Sequence, residues 1–353
     1  MRNGLAARFG HAVETLTPGY FALVMASGIV SVGMHLQGFT FLSLVLLVAC
    51  AVAFATLLAL NVWRLLVYRR ALVEDFMDPA RAFGFFTFVA GTNVLGVRLG
   101  VTGHYLATAV LLVFSGSAWL VLGYVVPWTA VLSREERPVT ATANGTWFIW
   151  VVASQSVAAA AAALEPTVSS GRRELALLAV VSWSVGVFLY GAAAVFVSLR
   201  MMLYPLRPEE LNPPYWVSMG AMAITVLAGA RIVEMADAPM VDATRGLLAG
   251  LTVVFWAFAT WLIPVLVAVG WWRHVSRRVP LNYEATLWSV VFPLGMYAVA
   301  GIYLGHADSL PLVHAVGATE LWVAFAAWLT VFVSMVVHVT RTVFLPPRRP
   351  ARR

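Results

Sequence analysis

The chain has no lysine: all 23 of its basic residues are arginine. A retinal or pyridoxal Schiff base and a phosphate-loop lysine are therefore excluded, since each needs a lysine amine. Its single cysteine, Cys50, lies inside an apolar run, which excludes an intrachain disulfide and a thiolate cluster. Charge is scarce as well, at 11% of residues against about 25% in soluble domains. No connecting loop is long enough to hold a soluble domain. What is present is hydrophobic, 61% of 353 residues. A soluble fold of that length cannot bury so much apolar surface, so the composition identifies an integral membrane protein.

Ten apolar runs stand between polar breaks. They are Pro18–His35, Phe39–Tyr68, Phe83–Leu99, His104–Leu132, Trp147–Leu164, Glu174–Leu203, Tyr215–Met235, Gly246–Trp272, Glu284–Leu304 and Val313–Val343. The odd-numbered runs are about one bilayer thick as helices, and the longer even ones must tilt or project. The expected fold is all-α, with one ten-helix transmembrane domain over 18–345. A segment 1–17 precedes it, without a convincing signal-peptide cleavage site, and an Arg-rich tail 346–353 follows.

An even number of spans puts both termini on one side. Eighteen arginines fall at the termini and in the loops of that side, against five on the other: Arg98, Arg172, Arg173, Arg231 and Arg245. The positive-inside rule makes the Arg-rich side cytoplasmic. Glu165, Glu174, Glu234, Asp237, Asp242 and Asp308 deepen the contrast on the outer side. The net charge of +7 is thus mostly a topology signal. Arg348–Arg353 reads as an anchor at an anionic leaflet rather than a nucleic-acid site. The expected location is the plasma (inner) membrane of a prokaryote. Asn144-Gly145-Thr146 matches a glycosylation sequon but falls on the cytoplasmic side.

The short runs repeat. An aromatic residue stands 13 positions before a glycine at Tyr20 and Gly33, Phe83 and Gly96, Trp216 and Gly229, and Trp288 and Gly301. Trp147 and Ala160 fill those places in the fifth short run. The unit is one short helix, a brief outer turn and one long helix. Five such tandem hairpins suggest parallel repeats about an axis along the membrane normal. Seven residues after each anchor come Ser27, Ala90, Ser154, Ala223 and Gly295, all small. They suit either a narrow lumen or close helix packing. Four after the anchor come Val24, Thr87, Val151, Gly220 and Phe292. If that column faces the axis, Phe292 alone projects a ring across it, beside the kink that Pro293 imposes. A hydrophobic constriction there can gate by dewetting, whereas a Phe packed on lipid or a neighbour would have no such role.

Charged residues avoid the span interiors: Arg98, Arg231, Glu234, Glu284 and Glu320 lie near ends. His338 is the deepest histidine, and no histidine has metal-ligand spacing to another ligand on one helix face. Neither a cofactor nor an enzymatic nucleophile–base pair is expected. The short helices carry neutral polar groups instead, of which Ser31, Asn93, Gln155 and Thr225 are candidate anion contacts alongside the stripe residues. Hydroxyls and amides can hold a partly dehydrated anion without trapping it. Arg98 and Arg231 either draw anions to the outer mouth or anchor at the interface, with Glu234 a local partner for Arg231.

Longer stretches resemble a known family. The run Pro18-Gly19-Tyr20-Phe21-Ala22-Leu23-Val24-Met25-Ala26-Ser27-Gly28-Ile29-Val30-Ser31 is similar to the first helix of the tellurite-resistance/C4-dicarboxylate transporter family. That family includes the bacterial tellurite-resistance membrane protein, fungal malate and sulfite transporters and the slow anion channels of plant guard cells. Asn144-Gly145-Thr146-Trp147 with Ser154-Gln155-Ser156 resembles its fifth helix, Pro213-Pro214-Tyr215-Trp216 through Thr225 its seventh, and Phe292-Pro293-Leu294-Gly295-Met296 its ninth.

The resemblance implies five helical hairpins, with the odd-numbered helices lining a central pore in each subunit of a homotrimer. It implies that Phe292, before Pro293, occludes that pore. The implied partners are the lipid bilayer and a small inorganic or dicarboxylate anion, with no nucleic acid. The expected function is a voltage-independent anion channel or facilitator for C4-dicarboxylate, sulfite, tellurite-related oxyanions or monovalent anions. A proton-coupled carrier of dicarboxylate or sulfite is the alternative. The long regulatory tails of the plant channels have no counterpart here.

Overall fold

The computed structural model describes residues 2–132, 138–236, 238–307 and 309–344. The expected tail 346–353, Asp237 and Asp308 lie outside the described residues. In chain order the helices are α1 (Arg2–Glu14), α2 (Ala22–Leu36), α3 (Thr40–Val67), α4 (Arg69–Met77), α5 (Phe86–Val101), α6 (Tyr105–Val126), α7 (Phe148–Leu164), α8 (Arg172–Leu203), α9 (Val217–Val233), α10 (Pro239–Trp271), α11 (Trp288–Ala307) and α12 (Pro311–Val339). No strand occurs among the described residues. All but α1 and α4 belong to the ten segments long and apolar enough to cross a membrane. The protein is thus an all-α membrane protein of ten candidate spans.

The spans form two layers. In the short ones 78% to 89% of the most apolar window is buried, and in the long ones only 11% to 33%. Each short helix packs on the next, α2 on α5, α5 on α7, α7 on α9 and α9 on α11, and α11 returns to α2. The short helices thus make a closed ring. Each long helix packs on the short one before it and turns its other side outward.

The repeated glycines mark where the two layers touch. A Cβ at Gly96 would meet Leu111 of α6 at 3.4 Å, and one at Gly229 would meet Thr252 Oγ1 of α10 at 2.5 Å. At Gly301 it would meet the Gly317 Cα of α12 at 3.2 Å. Small side chains allow this close approach, which supplies the dispersion contacts that replace a hydrophobic drive in lipid. The repeat that is visible in the sequence is therefore a packing register.

Polar bonds join the layers at all five seams, each between a short helix and the long helix that precedes it around the ring. Trp328 Nε1 of α12 donates to Ser27 Oγ of α2 (2.9 Å), and Arg98 Nη2 of α5 donates to Ser43 Oγ of α3 (2.7 Å). Trp119 Nε1 of α6 donates to Ser154 Oγ of α7 (2.9 Å), and Trp183 Nε1 of α8 to the Thr225 carbonyl of α9 (3.0 Å). The hydroxyls of Thr260 on α10 and Tyr297 on α11 meet at 2.8 Å. A polar group facing hydrocarbon must find its partner within the protein, and these partners lie across the seams.

Two local features escape a hydropathy reading. The apolar run of α10 begins at Gly246, yet the helix starts at Pro239, a residue preorganised for the first turn. Arg245 holds that turn, donating to Asp242 Oδ1 (2.7 Å), to the Met235 carbonyl (2.9 Å) and to the Val233 carbonyl. At the opposite end the buried Arg64 ties α1, α3 and α4 together. It pairs with Asp75 at 2.8 Å and donates to the carbonyls of Glu14 and Ala71.

A valine at Gly301 should lower the unfolding temperature in detergent, because its side chain meets α12 backbone; overpacking of this kind costs about 1–3 kcal/mol. Gly116 of α6 has no atom within 4 Å of its Cβ position, so Gly116→Val is the matched control. Equal losses in the two variants would refute the packing register.

Candidate functional site

Inside the ring lies a cavity of about 20 Å³ that all five short helices line. Its polar side chains are Asn93 of α5, Ser156 of α7, Arg231 of α9 and Tyr303 of α11; Ile29, Ile224 and Met296 are among its apolar ones. A water needs roughly 10–15 Å³ of such space, so the cavity holds one water and no hydrated anion.

Lining residues stand eight to 15 positions after the aromatic anchors, farther along than the columns at four and seven. Of the candidate residues, Asn93 and Arg231 line the cavity. Asn93 Nδ2 donates to Ser156 Oγ (2.9 Å), and Asn93 Oδ1 accepts from Ser115 of α6 (2.6 Å). A buried amide held at both ends keeps a fixed orientation toward the cavity.

The other polar candidates bond elsewhere. Ser27 and Ser154 accept the indole bonds from α12 and α6. Gln155 donates to the Trp183 carbonyl of α8 (3.1 Å), and Thr225 Oγ1 returns to the Ala221 carbonyl of its own helix (2.7 Å). Thr87 donates to the Gly84 and Pro18 carbonyls. Ser31 donates to the Ser43 carbonyl (2.7 Å) and accepts from Arg98 Nε (2.7 Å). Ala90, Val151 and Ala223 are buried between helices. A Cβ at Gly220 would lie 2.8 Å from Pro293, and one at Gly295 2.9 Å from Ile29, so both glycines face a neighbouring short helix.

The two arginines, equivalent in the repeat, part ways. Arg98 is 2% exposed and turned toward α2 and α3, with Nη1 unpartnered. Arg231 lines the cavity instead. It donates to the Tyr303 hydroxyl, and its guanidinium carbon lies 4.3 Å from the Tyr303 ring centroid. Among the described residues no carboxylate sits within ion-pair distance of Arg231, Glu234 included. Tyr303 is a polar lining residue that sequence reasoning missed, as it missed apolar ones such as Ile29, Ile224 and Met296. The signal was available: Arg98, Arg231 and Tyr303 each stand two residues after a repeat glycine.

Phe292 is 1% exposed and lies one turn nearer the start of α11 than the cavity residue Met296. Positions 292, 296 and 303 fall on one stripe, since four and 11 residues are close to whole turns. Pro293 lies inside α11 and leaves the Ser289 carbonyl without its helical donor. This turn passes against Gly220 of α9, where an added Cβ would lie 2.8 Å from Pro293. The Asn144 side chain accepts from Thr146 N–H and closes the turn before α7. No group of three His, Cys, Asp or Glu able to hold a metal occurs among the described residues.

Comparison with known proteins adds the following. A family model described as a voltage-dependent anion channel matches residues 15–336. An uncharacterised membrane protein of Mycobacterium tuberculosis is 62% identical over 156 residues, which cover 44% of this chain and 79% of the relative. Two uncharacterised transporters of Methanocaldococcus jannaschii are 21% and 22% identical. Their alignments cover 93% and 90% of this chain and 96% and 91% of theirs.

Ser27→Ala and Ser154→Ala should each lower stability by about 1–3 kcal/mol, because each leaves a buried indole N–H without an acceptor. Thermal unfolding in detergent reads the loss. A double variant with Trp328→Phe should cost no more than Ser27→Ala alone, and an additive cost would show that the two groups do not act as a pair.

Proposed function

As the chain belongs to the voltage-dependent anion channel family, we propose that it passes small anions along the axis of its ring of short helices, with Phe292 as the gate. The observation that carries this reading is the cavity to which all five short helices contribute and in which the one charged lining residue is Arg231. An arginine without a carboxylate partner, in a low-dielectric surround, favours anions over cations. Asn93 and Ser156 add neutral donors that can replace part of a hydration shell without trapping the ion.

Phe292 stands on the cavity stripe at the end toward the chain termini, and a ring there blocks the axis. The proline kink supports the gating role, since it removes one backbone bond and eases local bending. The substrate class is monovalent inorganic anions, sulfite or C4-dicarboxylate, and the assembly is a homotrimer with one path per subunit, as the family resemblance suggests. No carboxylate or imidazole stands among the cavity's lining residues, which favours a channel or facilitator over a proton-coupled carrier.

Reconstitution in liposomes tests the proposal. Phe292→Ala should raise anion flux about tenfold or more, equivalent to about 1.4 kcal/mol of barrier, with currents that do not depend on voltage. Arg231→Gln should reduce the preference for anions in reversal-potential measurements across chloride, nitrate, sulfite and malate. Unchanged flux in Phe292→Ala at equal incorporation would rule out the gate. Saturable counterflow in the unaltered protein would identify a carrier.

A further inference from the structure

A pocket of about 350 Å³ lies between the long helices α10 and α12, over the first turns of α11 and the turn Pro213–Trp216 that precedes α9. It sits at the end of the bundle that carries the described termini. Its apolar lining includes Leu266 and Val269 of α10, Val290 and Val291 of α11, and Val331 of α12. Val265 and Val267 of α10 and Leu329 of α12, beside it in sequence, are about half exposed, so the pocket adjoins the surface that meets hydrocarbon. Gly270 borders the open space, with no atom within 4 Å of its Cβ position. The polar lining includes Asn212, Tyr215 and Arg273, and no carboxylate is among the lining residues.

Arg273 is only 8% exposed, and its guanidinium is under-bonded. Nη1 donates to the Leu211 carbonyl (2.9 Å), and Nε has no partner. Among the described residues no carboxylate lies within ion-pair distance of it. Asn212 Oδ1 is likewise buried without a donor. The acidic residues near the pocket in sequence are engaged or turned outward. Glu210 accepts from Arg200 Nη2 (3.0 Å) and from the Arg207 N–H (3.2 Å), Glu284 accepts from Thr286 Oγ1 (3.1 Å), and Glu209 is exposed. A cation in a low-dielectric surround is costly unless an anion answers it, so the chemistry of this pocket calls for a negatively charged group.

We propose that the pocket binds an anionic phospholipid, with the phosphodiester at the Arg273 guanidinium, a headgroup hydroxyl at the Asn212 amide and the top of an acyl chain between α10 and α12. The volume is at the lower end of small-molecule sites, about 300–1,000 Å³, which suits a headgroup and the start of a chain rather than a whole lipid. Arg277 and Arg278, exposed just beyond Arg273, add positive charge of the kind that draws anionic lipid to the ends of membrane helices. Val291 lines the pocket and directly precedes Phe292, so a bound lipid touches the turn of α11 that carries that ring.

Native mass spectrometry of the full chain, delipidated and then given phosphatidylglycerol and phosphatidylcholine in equal amounts, tests the proposal. The unaltered protein should retain phosphatidylglycerol in preference. Arg273→Gln should cut that preference about fivefold, the worth of one cation near anionic lipid. Arg273 also holds the Leu211 carbonyl, so Gly270→Phe serves as a second variant. It puts a ring into open space and removes a helix-weakening glycine, and it should release the phosphatidylglycerol with no fall in unfolding temperature. Equal retention of the two lipids by the unaltered protein, or undiminished retention by Gly270→Phe, would overturn the proposal. So would displacement of the lipid by glycerol phosphate, which would assign the site to a soluble phosphate ester. A photoreactive benzophenone side chain at Thr330, an exposed lining position, should attach to lipid; attachment to a second copy of the chain would overturn the proposal as well.

Discussion

The structure depends on one constraint: in hydrocarbon, a polar group on a short helix must find its partner inside the protein. The chain meets it at the five seams, with an indole, a guanidinium or a hydroxyl spanning each. The net gain from such a bond is modest, averaging about 0.6 kcal/mol in membrane proteins, whereas a buried donor left without its acceptor costs about 1–3 kcal/mol, so the bonds specify geometry more than they add stability. They fix how each short helix is rotated. That rotation decides which side chains meet the axis and which meet the outer layer. The cavity residues are what remains once the seam bonds are made, and Arg231 is the clearest case: its counterpart Arg98 goes to Ser31 and Ser43, whereas Arg231 stays inside with Tyr303.

Packing and chemistry then divide the glycines and the small residues between them. Gly96, Gly229 and Gly301 admit the long helices, while Gly220 admits the proline turn of α11. A bulkier residue at Gly220 would push α11 aside just where Phe292 projects. The spacing of α9 and α11 is thus set by close approach at Gly220.

Much of the fold was legible in the sequence. The ten spans, their short–long alternation and the aromatic–glycine repeat follow from hydropathy and spacing, because both layers obey simple length and packing rules. The start of α10 did not follow, since a charged first turn held by Arg245 has no apolar signal. The site was legible only in part. Ser27 and Ser154 share a column and are small, yet small polar residues suit a seam as well as a lumen, and only the positions of Trp328 and Trp119 separate the two. Tyr303 was overlooked because its repeat position is held by arginine in two other units, and the chemical likeness between a phenol and a guanidinium is weak.

The bond between Trp328 and Ser27 joins residues 301 positions apart. At a synthesis rate of roughly 5–20 residues per second, the serine waits roughly 15–60 s for its indole. During that time the first span sits in the bilayer, or beside the insertion machinery, with its seam open. That seam therefore cannot close until α12 has emerged. Truncation anywhere before α12 leaves the Ser27 hydroxyl of α2 without the indole that it accepts from.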